Sequence, residues 1–134
     1  MDDATLSEAF WAVAHQLRHR TRVALEPWDL SPSLARALSV LSKHGEMRLS
    51  GLADHLRIAP RSATEVADDL ASHGLAERHP DPEDRRATLL SHTEKGISTA
   101  EAIRAARKVE SEKFFAALTE SDREELGRLL RKLQ

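Results

Sequence analysis

Apolar residues recur at three- and four-residue spacing along most of this chain, and where they do not, the segment is short or studded with proline. Leu6, Phe10, Val13, Ala14 and Leu17 fall on one stripe and predict a first helix over residues 4–25, ended by Pro27. Ser31-Pro32 carries the chemistry of a helix start: a hydroxyl that can cap, then a ring that presets φ. Leu34, Ala37, Leu38 and Leu41 give that helix its inner face, and Gly45 closes it. Met47-Arg48-Leu49 is too short to assign to a strand. Residues 50–56 predict a short helix with Leu52, Ala53 and Leu56 inward, and Arg57-Ile58-Ala59 reads as a turn. Pro60 opens a helix to His73, with Ala63, Val66, Ala67 and Leu70 buried and Gly74 as its stop.

The period then changes. Leu75–His79 and Ala87–Ser91 read as short strands, joined by the proline-bearing charged stretch Pro80-Asp81-Pro82-Glu83-Asp84-Arg85-Arg86, so the pair forms a hairpin. Thr93 can cap a long helix over 94–117, with Ile97, Ala100, Ile103, Val109, Phe114 and Phe115 as its apolar positions. Thr119-Glu120-Ser121-Asp122 has the form of a capping box. Leu126, Leu129, Leu130 and Leu133 follow at i, i+3, i+4 and i+7, a strongly amphipathic last helix. The expected fold is mainly α with a small β-hairpin: a short helix buttressing a second whose free face is available, and a hairpin reaching sideways.

Composition narrows what such a fold can do. The chain has 134 residues, 40% hydrophobic and 31% charged, which suits one domain with a real core. Residues 1–20 begin Met1-Asp2-Asp3 and carry polar residues throughout, and no apolar run approaches the roughly 18 residues of a membrane span. Neither a secretory leader nor a membrane partner is expected, and the expected compartment is the cytoplasm. Cysteine is absent, which removes disulfides, thiolate zinc sites, a catalytic cysteine and sensing by thiol oxidation together. The net charge is −2, and residues 48–96 hold seven basic against nine acidic residues. Any contact with nucleic acid must therefore use a few well-placed arginines and not a bulk field.

The residues for such a contact are in place. Arg61, Ser62, Thr64 and Glu65 lie in the first turns of the helix opened by Pro60, away from its apolar face. Arginine can bond a guanine edge or a phosphate, the hydroxyls suit either, and Glu65 can accept from cytosine. Four residues after Arg61, Glu65 is expected first to orient that arginine. Ser50 at the start of the supporting helix offers a phosphate contact, and Arg85 and Arg86 sit at the tip of the hairpin. Asp68 and Asp69 add acid to the same helix as Arg61, which disfavours phosphate.

Taken together, Leu52-Ala53 with Leu56, Ile58 through Val66, His73-Gly74-Leu75 with Arg78, the run Asp81 through Ala87, and Thr93-Glu94-Lys95-Gly96 resemble the multiple antibiotic resistance regulator (MarR) family of bacterial transcription factors. The resemblance spans nearly the whole chain. It implies a winged helix-turn-helix lobe over 31–96 and a dimerisation lobe of 1–30 and 97–134. It also implies a homodimer on double-stranded DNA carrying a pseudo-palindromic operator, with ligand-responsive repression as the activity. By position, Arg86 is the arginine that would enter the minor groove and Asp84 its orienting partner. Leu6, Phe10, Leu17, Leu126, Leu129, Leu130 and Leu133 would pair the protomers. Glu65 stands where many relatives carry a basic or amide residue, and His92 where the family has an apolar one.

The family commonly binds small aromatic or anionic effectors. Trp11, His15, Arg18 and His19 on the first helix offer an aromatic wall with cationic groups for one. His15 and His19 have a metal-compatible spacing but no third ligand nearby, so no metal site and no cofactor is assigned. Catalysis is not expected: there is no HExxH, no phosphate-cradling glycine loop and no nucleophile-elbow serine. The alternative is a winged-helix protein-interaction module without specific DNA binding, suggested by the acidic balance of residues 48–96.

Overall fold

The computed structural model describes all 134 residues, which divide into two compact units. The larger runs from Leu25 to Arg104. It contains α2 (Pro32–His44), β1 (Met47–Arg48), α3 (Leu49–Leu56), α4 (Pro60–Ser72), β2 (Ala76–Pro80) and β3 (Thr88–His92), together with the first half of α5 (Glu94–Phe114). The three strands form one antiparallel sheet in the order β1-β3-β2, with Met47 opposite Leu90 and Arg78 opposite the same residue on the other side. The hairpin expected from sequence is thus the outer part of a three-stranded sheet. Two residues cannot display an alternation, so β1 has no signal of its own and exists because β3 offers it an edge.

The core of this unit is where the helical spacing placed it. Leu34, Ala37, Leu38 and Leu41 of α2, Leu52 and Leu56 of α3, and Ala67 and Leu70 of α4 are buried against Leu75, Ala76 and Leu90 of the sheet. Val66 is only half-buried at the edge. Leu25, Leu30, Ala100 and Ile103 belong to the same core, so the unit extends past residues 31–96 at both ends. Of the expected apolar positions of α5, Ile97 and Val109 are exposed.

Local chemistry explains the boundaries. Ser31 Oγ accepts from the Leu34 N–H at 3.2 Å, and Pro32 opens α2. Gly74, at φ +71, ends α4, and the Leu75 N–H bonds back to the Leu70 carbonyl at 2.9 Å. Arg57 ends α3 at φ +56, a left-handed conformation costing a non-glycine residue about 1 kcal/mol. The start of α5 is clamped to the end of α4: Thr93 Oγ1 donates to the Gly74 carbonyl at 2.6 Å and accepts from Gly96 N–H at 3.0 Å. Lys95 Nζ donates to the His73 carbonyl at 2.9 Å. A Cβ on Gly96 would collide with the Leu75 carbonyl oxygen, so only glycine permits this approach.

The smaller unit comprises Met1–Ala24 and Ala105–Gln134. It holds nearly all of α1 (Asp3–Leu25), the second half of α5, a 3-10 turn over Phe115–Ala117, and α6 (Glu120–Lys132). The expected capping box is present: Thr119 Oγ1 accepts from Asp122 N–H, and the Asp122 carboxylate accepts from Thr119 N–H, both at 3.1 Å. The Arg20 guanidinium lies 5.6 Å from the Phe114 ring centroid. No residue of this unit is buried. No helix of the chain is long and apolar enough to cross a membrane.

Candidate nucleic-acid interface

The helix pair α3–α4 exposes the residues expected to meet DNA. Ser50 lies at the start of α3, and Arg61, Thr64 and Glu65 are solvent-exposed in the first turns of α4, with Ser62 half-buried beside them. Thr64 Oγ1 donates to the Pro60 carbonyl at 3.1 Å, so its hydroxyl is left as an acceptor. Glu65 does not orient Arg61: no ion pair joins them, and Arg61 has no internal partner. An exposed pair with the base N-terminal to the acid is the weaker order along a helix, and side-chain entropy opposes it. The acidic end of α4 is partly engaged, because Arg78 of β2 pairs with Asp68 at 2.7 Å.

The loop over residues 81–87 between β2 and β3 forms the wing, and it is built around Asp81. This is the one buried charged side chain in the molecule, at 7% exposure. Its carboxylate accepts from the Glu83 N–H at 2.9 Å and from Arg48 Nε at 2.7 Å. The Glu83 N–H first, and then Arg48, hold its pKa below the ordinary value, against the opposing effect of burial. The Asp81 N–H bonds to the Ala87 carbonyl at 3.1 Å and the Ala87 N–H to the Asp84 carbonyl at 3.0 Å, closing the loop.

Asp84 acts differently from the expectation. Its carboxylate accepts from the backbone N–H of Arg86 at 3.0 Å, and it forms no ion pair with either wing arginine. A short carboxylate reaches the N–H two residues on more readily than a long guanidinium, the geometry of an Asx-turn. Asp84 therefore shapes the backbone under Arg86, while Arg85 and Arg86 extend into solvent without internal partners.

The residues proposed for other roles lie on the smaller unit. Trp11, His15, Arg18 and His19 are exposed on α1, Trp11 at 64%, with Trp11 edge-on to Phe10. Leu6, Phe10, Leu129, Leu130 and Leu133 are exposed, whereas Leu17 and Leu126 are half-buried. Leu126 and Leu130 line a groove of about 310 Å³ with Phe115, Arg123 and Gly127. No cluster of three or more His, Asp or Glu side chains capable of holding a metal occurs in the chain.

Sequence reasoning missed the ties that fix the wing. Arg48 and Asp81 are 33 positions apart, and Asp68 and Arg78 sit on different elements, so no local spacing announces either pair. The sheet register brings the first together, since β1 and β2 flank the same strand. Asp81 did carry one signal: an aspartate leading into a proline-bearing loop commonly bonds its own backbone two residues on.

Comparison with known proteins bears on the fold and the family. A family model described as the MarR family matches residues 30–88. An HTH-type transcriptional regulator of Mycobacterium tuberculosis is 35% identical over 119 residues, covering 89% of this chain and 80% of that protein. The HTH-type transcriptional repressor MdtR of Bacillus subtilis is 28% identical over 133 residues, covering 99% and 84%. Among solved structures, a mutant MarR from E. coli complexed with operator DNA matches with a TM-score of 0.83. That match covers 96% of this chain and 93% of the other at 22% identity, a likeness of fold. With the winged helix, its flanking helices and this similarity in hand, the chain belongs to the MarR family of transcriptional regulators.

Proposed function

We propose that this chain is a ligand-responsive repressor that binds a pseudo-palindromic operator as a cytoplasmic homodimer and has no catalytic role. The observation that carries the DNA contact is the distribution of partners among its cations. Arg48, Arg78 and Lys95 are engaged inside the winged-helix unit. Arg61 at the head of α4 and Arg85 and Arg86 on the wing are exposed and unpartnered. In this reading Arg61, Ser62, Thr64 and Glu65 meet base edges and phosphates in the major groove, and Ser50 meets the backbone. Arg86 enters the minor groove, where it reads shape more than base identity. Exposed leucines and aromatics on α1 and α6 support the pairing of two protomers, which would set the recognition helices about one helical turn apart.

Trp11, His15, Arg18 and His19 follow one another at helical spacing on α1, which supports an aromatic or anionic effector there. The effector would act by favouring a separation of the recognition helices that does not match the half-sites.

The test is fluorescence anisotropy on duplex DNA from immediately upstream of this protein's gene and on a scrambled duplex, at two salt concentrations. Tight, sequence-dependent binding that weakens with salt is expected. Arg86→Ala is expected to weaken it roughly tenfold. If selection from random duplexes also returns no bound sequence, the repressor reading falls and the interaction-module alternative replaces it.

A further inference from the structure

Seven lysines and arginines lie between residues 48 and 96. Arg48, Arg78 and Lys95 are tied to Asp81, Asp68 and the His73 carbonyl. Arg61, Arg85 and Arg86 have the roles proposed above. The seventh is Arg57. It is exposed, its guanidinium has no hydrogen bond or ion pair, and it occupies the turn between the helix that presents Ser50 and the helix that presents Arg61.

Its backbone makes the choice of residue informative. Arg57 sits at φ +56, and its N–H closes α3 onto the Asp54 carbonyl at 3.3 Å. Glycine or asparagine occupies such a position with less strain. The only other non-glycine residue at positive φ is Asp29, whose short polar side chain suits it. The fold therefore gains nothing from a long cationic side chain at residue 57. A unit with an acidic balance also has few cations left to meet a polyanion.

We infer that Arg57 is a DNA-backbone contact: from the helix-to-helix turn its guanidinium bonds a phosphate, adding a sequence-independent anchor beside Arg61. The inference rests on the DNA-binding reading. It assigns a phosphate and not a base because the residue stands in the turn, off the face of α4 that presents Arg61, Thr64 and Glu65.

The experiment compares wild type, Arg57→Gly, Arg57→Asn and Arg57→Lys. Each binds a duplex selected by the wild-type protein from a random library, and a random duplex, across a salt series, with thermal melting in parallel. Arg57→Gly and Arg57→Asn are expected to bind both duplexes roughly five- to tenfold more weakly, with the salt slope smaller by about one per protomer. Their melting temperatures stay at or up to a few degrees above wild type, because the strain is relieved. Arg57→Lys retains the slope. Loss of binding together with a lowered melting temperature in both variants would show a structural role and overturn the inference. So would unchanged affinity and slope, or a loss confined to the selected duplex, which would mark a base contact. A wild-type protein that selects no duplex would sink the DNA-binding reading itself, whereas wild-type binding matched by Arg57→Gly sinks only the role of this arginine.

Discussion

The two units of this chain use their apolar residues in opposite ways. Residues 25–104 contain every buried side chain, from Leu25 to Ile103. Residues 1–24 and 105–134 contain none, yet they carry all of the large exposed apolar residues except Ile97. Helix α6 is as amphipathic as α2, α3 and α4, so the pattern alone does not say which stripes are covered. In the first region the stripes face one another across α2, α3, α4 and the sheet. In the second, Leu6, Phe10, Trp11, Leu129 and Leu133 remain in water. An apolar helix face gains its stabilisation only when something covers it. The winged-helix unit covers its own stripes, whereas the helical unit leaves its apolar faces exposed.

The strongest way to break that comparison is to attack the uncovered surface. If a second copy covers it, Leu129→Glu places an unpaired charge in the interface while costing the isolated chain little, because Leu129 is exposed there. Sedimentation should then show monomer where wild type shows dimer. Operator affinity should fall at least about a hundredfold, since the two half-sites are no longer engaged by one particle. A dimer of unchanged affinity would exclude this face of α6 from the interface.

Within the winged-helix unit the expectation is reversed. Leu38 of α2 is fully buried in the core, and Leu38→Ala should cost about 3 kcal/mol through lost transfer energy and the cavity left behind. Denaturant melts should give the same loss over about a hundredfold range of protein concentration, whereas the stability of the helical unit rises with concentration if association covers it. Gly96→Ala tests the junction of α4 and α5. Its methyl meets the Leu75 carbonyl, a backbone atom that cannot swing aside, and the expected cost is about 2 kcal/mol. A neutral result would mean that the approach of the two elements relaxes freely.

The sequence carried the helices well because each is long enough to repeat its stripe, and because Ser31-Pro32, Pro60, Gly74 and Thr119 mark ends by local chemistry. The exposed placement of Arg61, Arg85 and Arg86 was legible from local chemistry too, since Pro60 opens α4 and a proline-bearing charged run cannot extend a strand. Illegible were features that depend on contacts distant in sequence. Met47–Arg48 is a strand only because Leu89 and Leu90 pair with it. The Arg48–Asp81 tie exists only once that register is set. The expected Arg61–Glu65 pairing failed because helical spacing permits a contact between exposed side chains without rewarding it. The Asp84–Arg86 pairing failed because a backbone N–H lay nearer to the carboxylate than the guanidinium did.

Asp81 offers the finest test, because it asks whether the winged-helix unit is as self-contained at its periphery as in its core. The Glu83 N–H and Arg48 hold its carboxyl below the ordinary carboxylate value of about 4. An opened or unfolded wing thus takes up a proton before the closed wing does. The stabilisation is fully present above the ordinary value and is lost as pH falls through the lowered one. Protection of the Glu83 and Ala87 amides against hydrogen exchange, corrected for the intrinsic rate, should be flat from about pH 8 to 5 and fall only below about 4. Asp81→Asn keeps an oxygen for the Glu83 N–H but removes the charge facing Arg48, so protection should be lower at neutral pH and lose most of its acid dependence. If protection in the wild type already falls between pH 8 and 5, Asp81 is not the group that holds the wing closed. In the expected case, the reach of Arg85 and Arg86 is fixed by contacts within the winged-helix unit itself.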